Sequence, residues 1–201
     1  MLSRFKKVSV IALGLGMAAL IAAPIASASR PSSLPKGTEV TGTLKTGTKM
    51  VFAGTIDGVP ITVSCTSFTA KGKVPAAGAK SITLSAAPTI KGCTDTLHGT
   101  DTVKTNETNG KWTLSVTTTT PYKMTLGMPK AGATFVSNAE SGCVITAAPT
   151  AAVGVTGTYN GDNTDQVTKA PIPTSGSGCT SATAKTTATV VLSPAPGAPP
   201  F

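Results

Sequence analysis

The chain has 201 residues, with 17 Lys and Arg against 8 Asp and Glu and a net charge of +9 at neutral pH. That length suits one domain with a sizeable core. After Ile25 the basic residues stand singly, without the block a nucleic-acid-binding segment carries, and no apolar run there approaches the ~20 residues of a membrane-spanning helix.

Residues 1–28 read as a secretory signal peptide. Arg4, Lys6 and Lys7 give a positive start, Val8 to Ile25 is apolar, and Ala26-Ser27-Ala28 is a small-x-small cleavage site. Subtracting these 28 residues from 201 leaves 173. The remainder keeps 14 basic residues against 8 acidic ones, a net charge of about +6. Dispersed in this way, the excess favours solubility and loose attraction to anionic wall polymers or membranes. Ser29 to Gly37 reads as a short, flexible, Pro-containing lead, and residues 38–193 as one β domain.

Threonine, valine, glycine and alanine dominate that domain, and straight-chain helix formers are sparse. Threonine is β-branched and fits a pleated, half-exposed surface. Apolar residues alternate with period two, the strand signature. Met50 to Cys65 predicts a hairpin about Asp57-Gly58, a dipeptide suited to a two-residue turn with positive φ at both positions. Folding there pairs Ile56 with Val59, Gly54 with Ile61, Phe52 with Val63 and Met50 with Cys65, all on one face. Pro60 faces outward. Ile82, Leu84 and Ala86 predict the next strand.

Asn109-Gly110 predicts a second hairpin, pairing Val103 with Val116, Thr105 with Leu114 and Glu107 with Trp112. Tyr122, Met124, Leu126 and Met128 share a face in a further strand. Val153, Val155 and Tyr159 mark another, and Ala184, Ala188, Val190 and Leu192 the last. The count is about ten strands without helices, as in an all-β antiparallel sandwich or partly closed barrel. Ser193 to Phe201 is Pro-rich and reads as a flexible or polyproline tail over 194–201.

Four cysteines, Cys65, Cys93, Cys143 and Cys179, all follow the signal segment, and none forms a C-x-x-C pair. In an oxidising compartment this predicts two disulfides rather than a zinc site. A weak internal repeat sets the pairing. In each half a cysteine, two strand-like runs, an Ala-Pro element (Ala87-Pro88, Ala170-Pro171) and a Gly-Cys close a unit. The expected bridges are Cys65–Cys93 and Cys143–Cys179.

Motifs with chemistry are scarce. His98 is the single histidine, and Asp95-x-x-His98 has no Gly-x-Ser-x-Gly elbow to complete a hydrolytic triad. Asp95 with Asp101, and Asp162 with Asp165, are the close acid pairs. A glycosidase would need such a pair flanking a cleft, and both are expected in loops. Asn160-Gly161-Asp162-Asn163-Thr164-Asp165 is rich in oxygen ligands but departs from the EF-hand pattern. Trp112 and Tyr159 are the aromatics open to a glycan-binding role, with core packing favoured for Trp112. No catalytic, cofactor-binding or metal-ligating set is expected.

The signal, the Thr/Ala/Gly-rich strands and the flanked cysteines (Ser64-Cys65-Thr66 with Lys91-Gly92-Cys93, Gly142-Cys143-Val144 with Ser177-Gly178-Cys179) resemble uncharacterised small secreted β-rich proteins of high-GC Gram-positive bacteria. The resemblance implies export and a β-sandwich, and assigns no functional residue. Four-cysteine antibiotic-carrier proteins with an immunoglobulin-like fold are similar in style, but shorter and with another cysteine layout. Together these observations predict a secreted, non-catalytic interaction or envelope-associated domain. Its partner would be a cell-wall polymer, another surface protein or a small ligand, and not nucleic acid. A small-ligand carrier with an inter-sheet pocket is the alternative, and a secreted hydrolase the third.

Overall fold

A computed structural model describes residues 33–97, 99–137, 142–160, 163–194 and 201. The expected signal segment, His98, Glu140 and Asp162 lie outside the described residues. Among the described residues there is no helix, and fourteen strands replace the expected ten or so. They are β1 (Glu39–Leu44), β2 (Met50–Ile56), β3 (Val59–Lys73), β4 (Ser81–Thr83), β5 (Thr89–Asp95), β6 (Thr100–Thr105), β7 (Thr113–Val116), β8 (Lys123–Met128), β9 (Ala133–Ser137), β10 (Val144–Ala147), β11 (Val153–Tyr159), β12 (Thr164–Ile172), β13 (Thr174–Ser177) and β14 (Ala184–Ser193).

All fourteen belong to one antiparallel sheet. Its spine is built by the two long strands, β3 and β14. Between them lie β1 and β2, end to end. β1 pairs the last residues of β3 (Thr43 with Thr69, Glu39 with Lys73), and β2 pairs the first (Met50 with Cys65, Ile56 with Val59). On its other side β1 meets Val190 to Ser193 of β14, and β2 meets Lys185 to Thr187. A turn at Lys45–Thr48, closed by the Thr48 N–H on the Lys45 carbonyl, bulges out between β1 and β2. The β2–β3 hairpin has the expected register. Asp57 and Gly58 both take positive φ, +48° and +79°, and six of the eight face residues are buried. Val59, at the tip, is instead 51% exposed.

Two wings extend from the spine. One runs β3-β5-β6-β9-β10-β13, the other β14-β12-β11-β8-β7-β4. Each curls back to the spine. The β4 end returns at a bridge between Leu84 and Gly72, where any Cβ on Gly72 would stand 2.6 Å from Ile82 Cγ2. The β13 end returns where Ser181 bridges Ile56 and the Thr180 carbonyl accepts the Asp57 N–H at 3.1 Å. Two partly closed barrels thus share one spine. Burial alternates along β3 as Ile61, Val63, Cys65, then shifts phase to Phe68, Ala70, Gly72. The shift falls at Thr66, which faces Gly92 with its φ of +64°.

The Asn109-Gly110 hairpin is not formed. Gly110 N–H does bond to the Glu107 carbonyl, making a turn. The strands it joins part company: β6 pairs β5 and β9, whereas β7 pairs β4 and β8. The segment crosses from one wing to the other. Val103 faces Phe135 and Leu114 faces Leu126, longer-range apolar partners than the local pairing offers. Trp112 anchors the crossing, 3% exposed, with its indole N–H on the Asn106 carbonyl at 2.9 Å.

The two expected bridges are present, Cys65–Cys93 between β3 and β5 and Cys143–Cys179 across the β10–β13 end. In each case the chain between the bridged cysteines visits the other wing, as β4 or as β11 and β12, and comes back. One large apolar cluster fills the middle, from Met50 and Phe52 to Trp112, Met128 and Val155. Phe52 of the spine meets Phe135 of a wing edge-on, centroids 4.9 Å apart, an arrangement worth ~0.5–1.5 kcal/mol beyond burial. A second cluster holds two residues that the sequence places in mobile ends. Leu34, in the expected lead, is buried beside Val74 and Ile82. Phe201, in the expected tail, is fully buried there too, its N–H on the Ala79 carbonyl at 3.0 Å and its carbonyl accepting from Gly78 at 2.7 Å. Burying the Phe201 ring removes a large apolar surface from water.

Candidate functional site

The outer face of the spine is the most distinctive surface. In β3, Ala70 and Gly72 point inward, so Lys71 and Lys73 point out. Across the sheet Lys71 stands opposite Thr41 and Lys73 opposite Glu39. Lys91 of β5 stands opposite Ser67, and Lys185 of β14 opposite Ala53. The turn between β1 and β2 adds Lys45 and Lys49. In β12 the register slips between Val167 and Ala170. This bulge gives Lys169 a φ of +49° and sets its N–H on the Thr187 hydroxyl at 3.2 Å. All seven lysines are exposed. Threonines 43, 66, 89, 94 and 187 are exposed among them. Glu39 is the one acid of these strands facing out with them, and it lies 3.6 Å from the Lys71 ammonium. Sequence reasoning missed this face, because residues far apart in the chain meet only across neighbouring strands.

The acids flagged in the sequence separate into two places. Asp95, Asp101 and Ser137 come together on β5, β6 and β9, with Asp101 directly opposite Ser137. They are not loop acids, since Asp95 ends β5 and Asp101 lies within β6. Asp95 Oδ1 accepts the N–H groups of Leu97 (2.8 Å) and Gly99 (2.9 Å), and Oδ2 accepts the Ser137 hydroxyl at 3.0 Å. Burial pushes Asp95 upward. The Gly99 N–H, the Ser137 hydroxyl and the Leu97 N–H outweigh it and hold the carboxyl below the usual range. Asp101 is raised to about 6, first by burial, then by the Asp95 charge. Its Oδ2 is buried without a partner.

Asp165 lies elsewhere, on β12, away from the loop in which it was expected. It is 6% exposed, its Oδ1 is buried without a partner, and burial raises it to about 7. Around the preceding loop Asn160 bonds to Thr164, and Asn163 accepts the Tyr159 hydroxyl at 3.2 Å. Asp165 itself is turned to the interior. Among the described residues no group of three His, Cys, Asp or Glu could hold a metal ion.

The interior offers little room. Three voids of about 50 Å³ each follow the core. The first is lined by apolar side chains with Asp165 and Thr186, the second contains Asp101 and Ser137, and the third lies between Phe52, Trp112 and Val155. An open depression of about 420 Å³ lies on the surface beside Asn109, Pro129 and Val153. Comparison with protein-family models, curated protein sequences and solved structures returned no match.

Proposed function

We propose that this is an exported, non-catalytic binding domain of the cell envelope that holds an anionic polymer on the outer face of its spine. The observation that carries this reading is the gathering of Lys45, Lys49, Lys71, Lys73, Lys91, Lys169 and Lys185 on one threonine-lined face with Glu39 as the single acid among the described residues of these strands. A sheet face is long and fairly rigid, and exposed ammonium groups along it suit a repeating negative charge. Each exposed contact is weak alone, so affinity comes from many of them and falls with salt. Two disulfides suit a domain working in an oxidising compartment, and among the described residues no helix is long and apolar enough to cross a membrane.

The carrier reading is less well supported. Ligand pockets run to roughly 300–1,000 Å³, and each interior void is about 50 Å³. The test is co-sedimentation of the processed protein with wall preparations before and after removal of their anionic polymers. Binding at low salt should be lost after stripping, and lost at about 0.5 M salt. The variant Lys71→Gln/Lys73→Gln/Lys91→Gln/Lys185→Gln should bind at least tenfold more weakly with an unchanged melting temperature. Equal binding by this variant, or by stripped walls, would overturn the proposal.

A further inference from the structure

The wing β11-β8-β7-β4 meets the rest of the sheet at a seam with β12 and, at its far end, at the Leu84–Gly72 bridge. β11 pairs β12 through Thr158 with Gln166 and Tyr159 with Asp165, and beyond them the Asn160 N–H bonds to the Thr164 carbonyl at 2.8 Å. The next strands out are held more broadly, with β11 pairing β8 from Val153 to Thr158. One of the seam positions, Asp165, is 94% buried, has no partner for Oδ1 and borders an apolar void. Gly157 of β11 packs directly on that carboxyl, so that a Cβ there would collide with it.

Among the described residues, the lining of the void beside Asp165 supplies no counter-charge. From β1 come Val40 and Gly42, from β3 Phe68 and Ala70, from β4 Ile82, from β8 Met124 and Leu126, from β11 Gly157 and Tyr159, and from β14 Thr186, Val190 and Leu192. None is charged, and Tyr159, the one titratable neighbour among the described residues, donates its hydroxyl to Asn163. Asp162, three residues earlier in the chain, lies outside the described residues. An isolated carboxylate in such a place is costly, whereas the neutral acid is tolerated.

We propose that the Asp165 seam is a pH-sensitive latch: the protonated carboxyl keeps β11 closed on β12, and its ionisation opens the seam and exposes the apolar interior of that barrel. Opening lets water reach the carboxylate, which is what the closed seam denies it. The sign follows from the shift. The folded carboxyl sits near 7 and an ordinary one at 3.8. Between these values the folded state holds one proton more than the unfolded state, so stability falls as pH rises and levels off above the folded value. The folding equilibrium constant loses up to about tenfold per pH unit in that window.

The experiment is chemical unfolding of the full chain between pH 4 and pH 8, for wild type and Asp165→Asn, with binding of an apolar fluorescent dye as the readout of opening. Asp165→Asn should lose about tenfold less per pH unit between pH 5 and pH 7 and should bind no extra dye at pH 8, whereas wild type gains dye without losing its β signal. Carbon-13 labelling of aspartate provides a second measurement that needs no variant, and the Asp165 carboxyl should titrate above pH 6. Parallel stability curves for the two proteins, a titration below pH 5, or dye binding independent of pH would each sink the latch. Failure here leaves the basic-face reading standing, because that one is read by wall binding.

Discussion

The Asp95 carboxylate accepts the Ser137 hydroxyl at 3.0 Å, so the end of β5 is tied to β9 across β6. Asp101 lies between them, opposite Ser137 in the sheet. Three neighbouring strands of one wing thus meet in a polar cluster that holds more negative charge than it can easily bear.

The two acids of this cluster have opposite pH signs. Asp95 is held below the usual range, so its contribution is present above pH ~4 and lost as pH falls further. Asp101 is raised to about 6, so its contribution is present at low pH and lost as pH rises from ~4 towards 6. Replacing Asp101 by Asn removes the second effect and leaves the Gly99, Ser137 and Leu97 donors that produce most of the first. The variant should be more stable than wild type at pH 8 by on the order of 1–3 kcal/mol, the energy of a shift of this size. At pH 4 the two should be nearly equal. Denaturant titrations at the two pH values check this, and equal differences at both would refute it.

Each disulfide should stabilise the fold through the freedom it removes from the unfolded chain. The closed loops span 28 and 36 residues, which corresponds to about 3–4 kcal/mol each. The paired variants Cys65→Ala/Cys93→Ala and Cys143→Ala/Cys179→Ala should each lose this much in a urea titration. Non-reducing peptide maps should show Cys65 with Cys93 and Cys143 with Cys179, and a Cys65–Cys143 peptide would contradict the structure.

Trp112 closes the crossing between the wings with its ring in the core and its indole N–H on Asn106. Trp112→Phe keeps most of the packing but leaves the Asn106 carbonyl without this donor, a loss of about 1–3 kcal/mol. Trp112→Ala removes the ring as well and should cost about 3–5 kcal/mol. Wild-type tryptophan emission should be blue-shifted and shielded from acrylamide. A red-shifted, quenchable signal would mean that the ring lies at the surface.

Local pattern carried far where the local solution was also the global one. In the β2–β3 hairpin the Asp57-Gly58 turn and the alternation of Phe52, Ile61 and Val63 demand the same register, and a slip of one residue would expose the whole apolar face. Cys65 and Cys93 could be matched because the strands that carry them are neighbours. At Asn109-Gly110 turn chemistry and packing disagree. The turn survives, but β6 and β7 find Phe135 and Leu126 in different wings, contacts that no local pattern records. Leu34 and Phe201 show the same override, since a buried apolar side chain outweighs a flanking sequence suited to a loose end.

By itself, then, the sequence determined the all-β class, the first hairpin and the cysteine pairing, because these depend on period-two burial, positive φ at a turn and spacing along one chain. Only the tertiary structure decided that scattered lysines share the spine's outer face, that Asp101 and Asp165 are buried, and that Asp165 lies where β11 meets β12. Those facts depend on which strands become neighbours. That choice is made by apolar burial summed over the whole sheet, and charge pattern along the chain carries no trace of it.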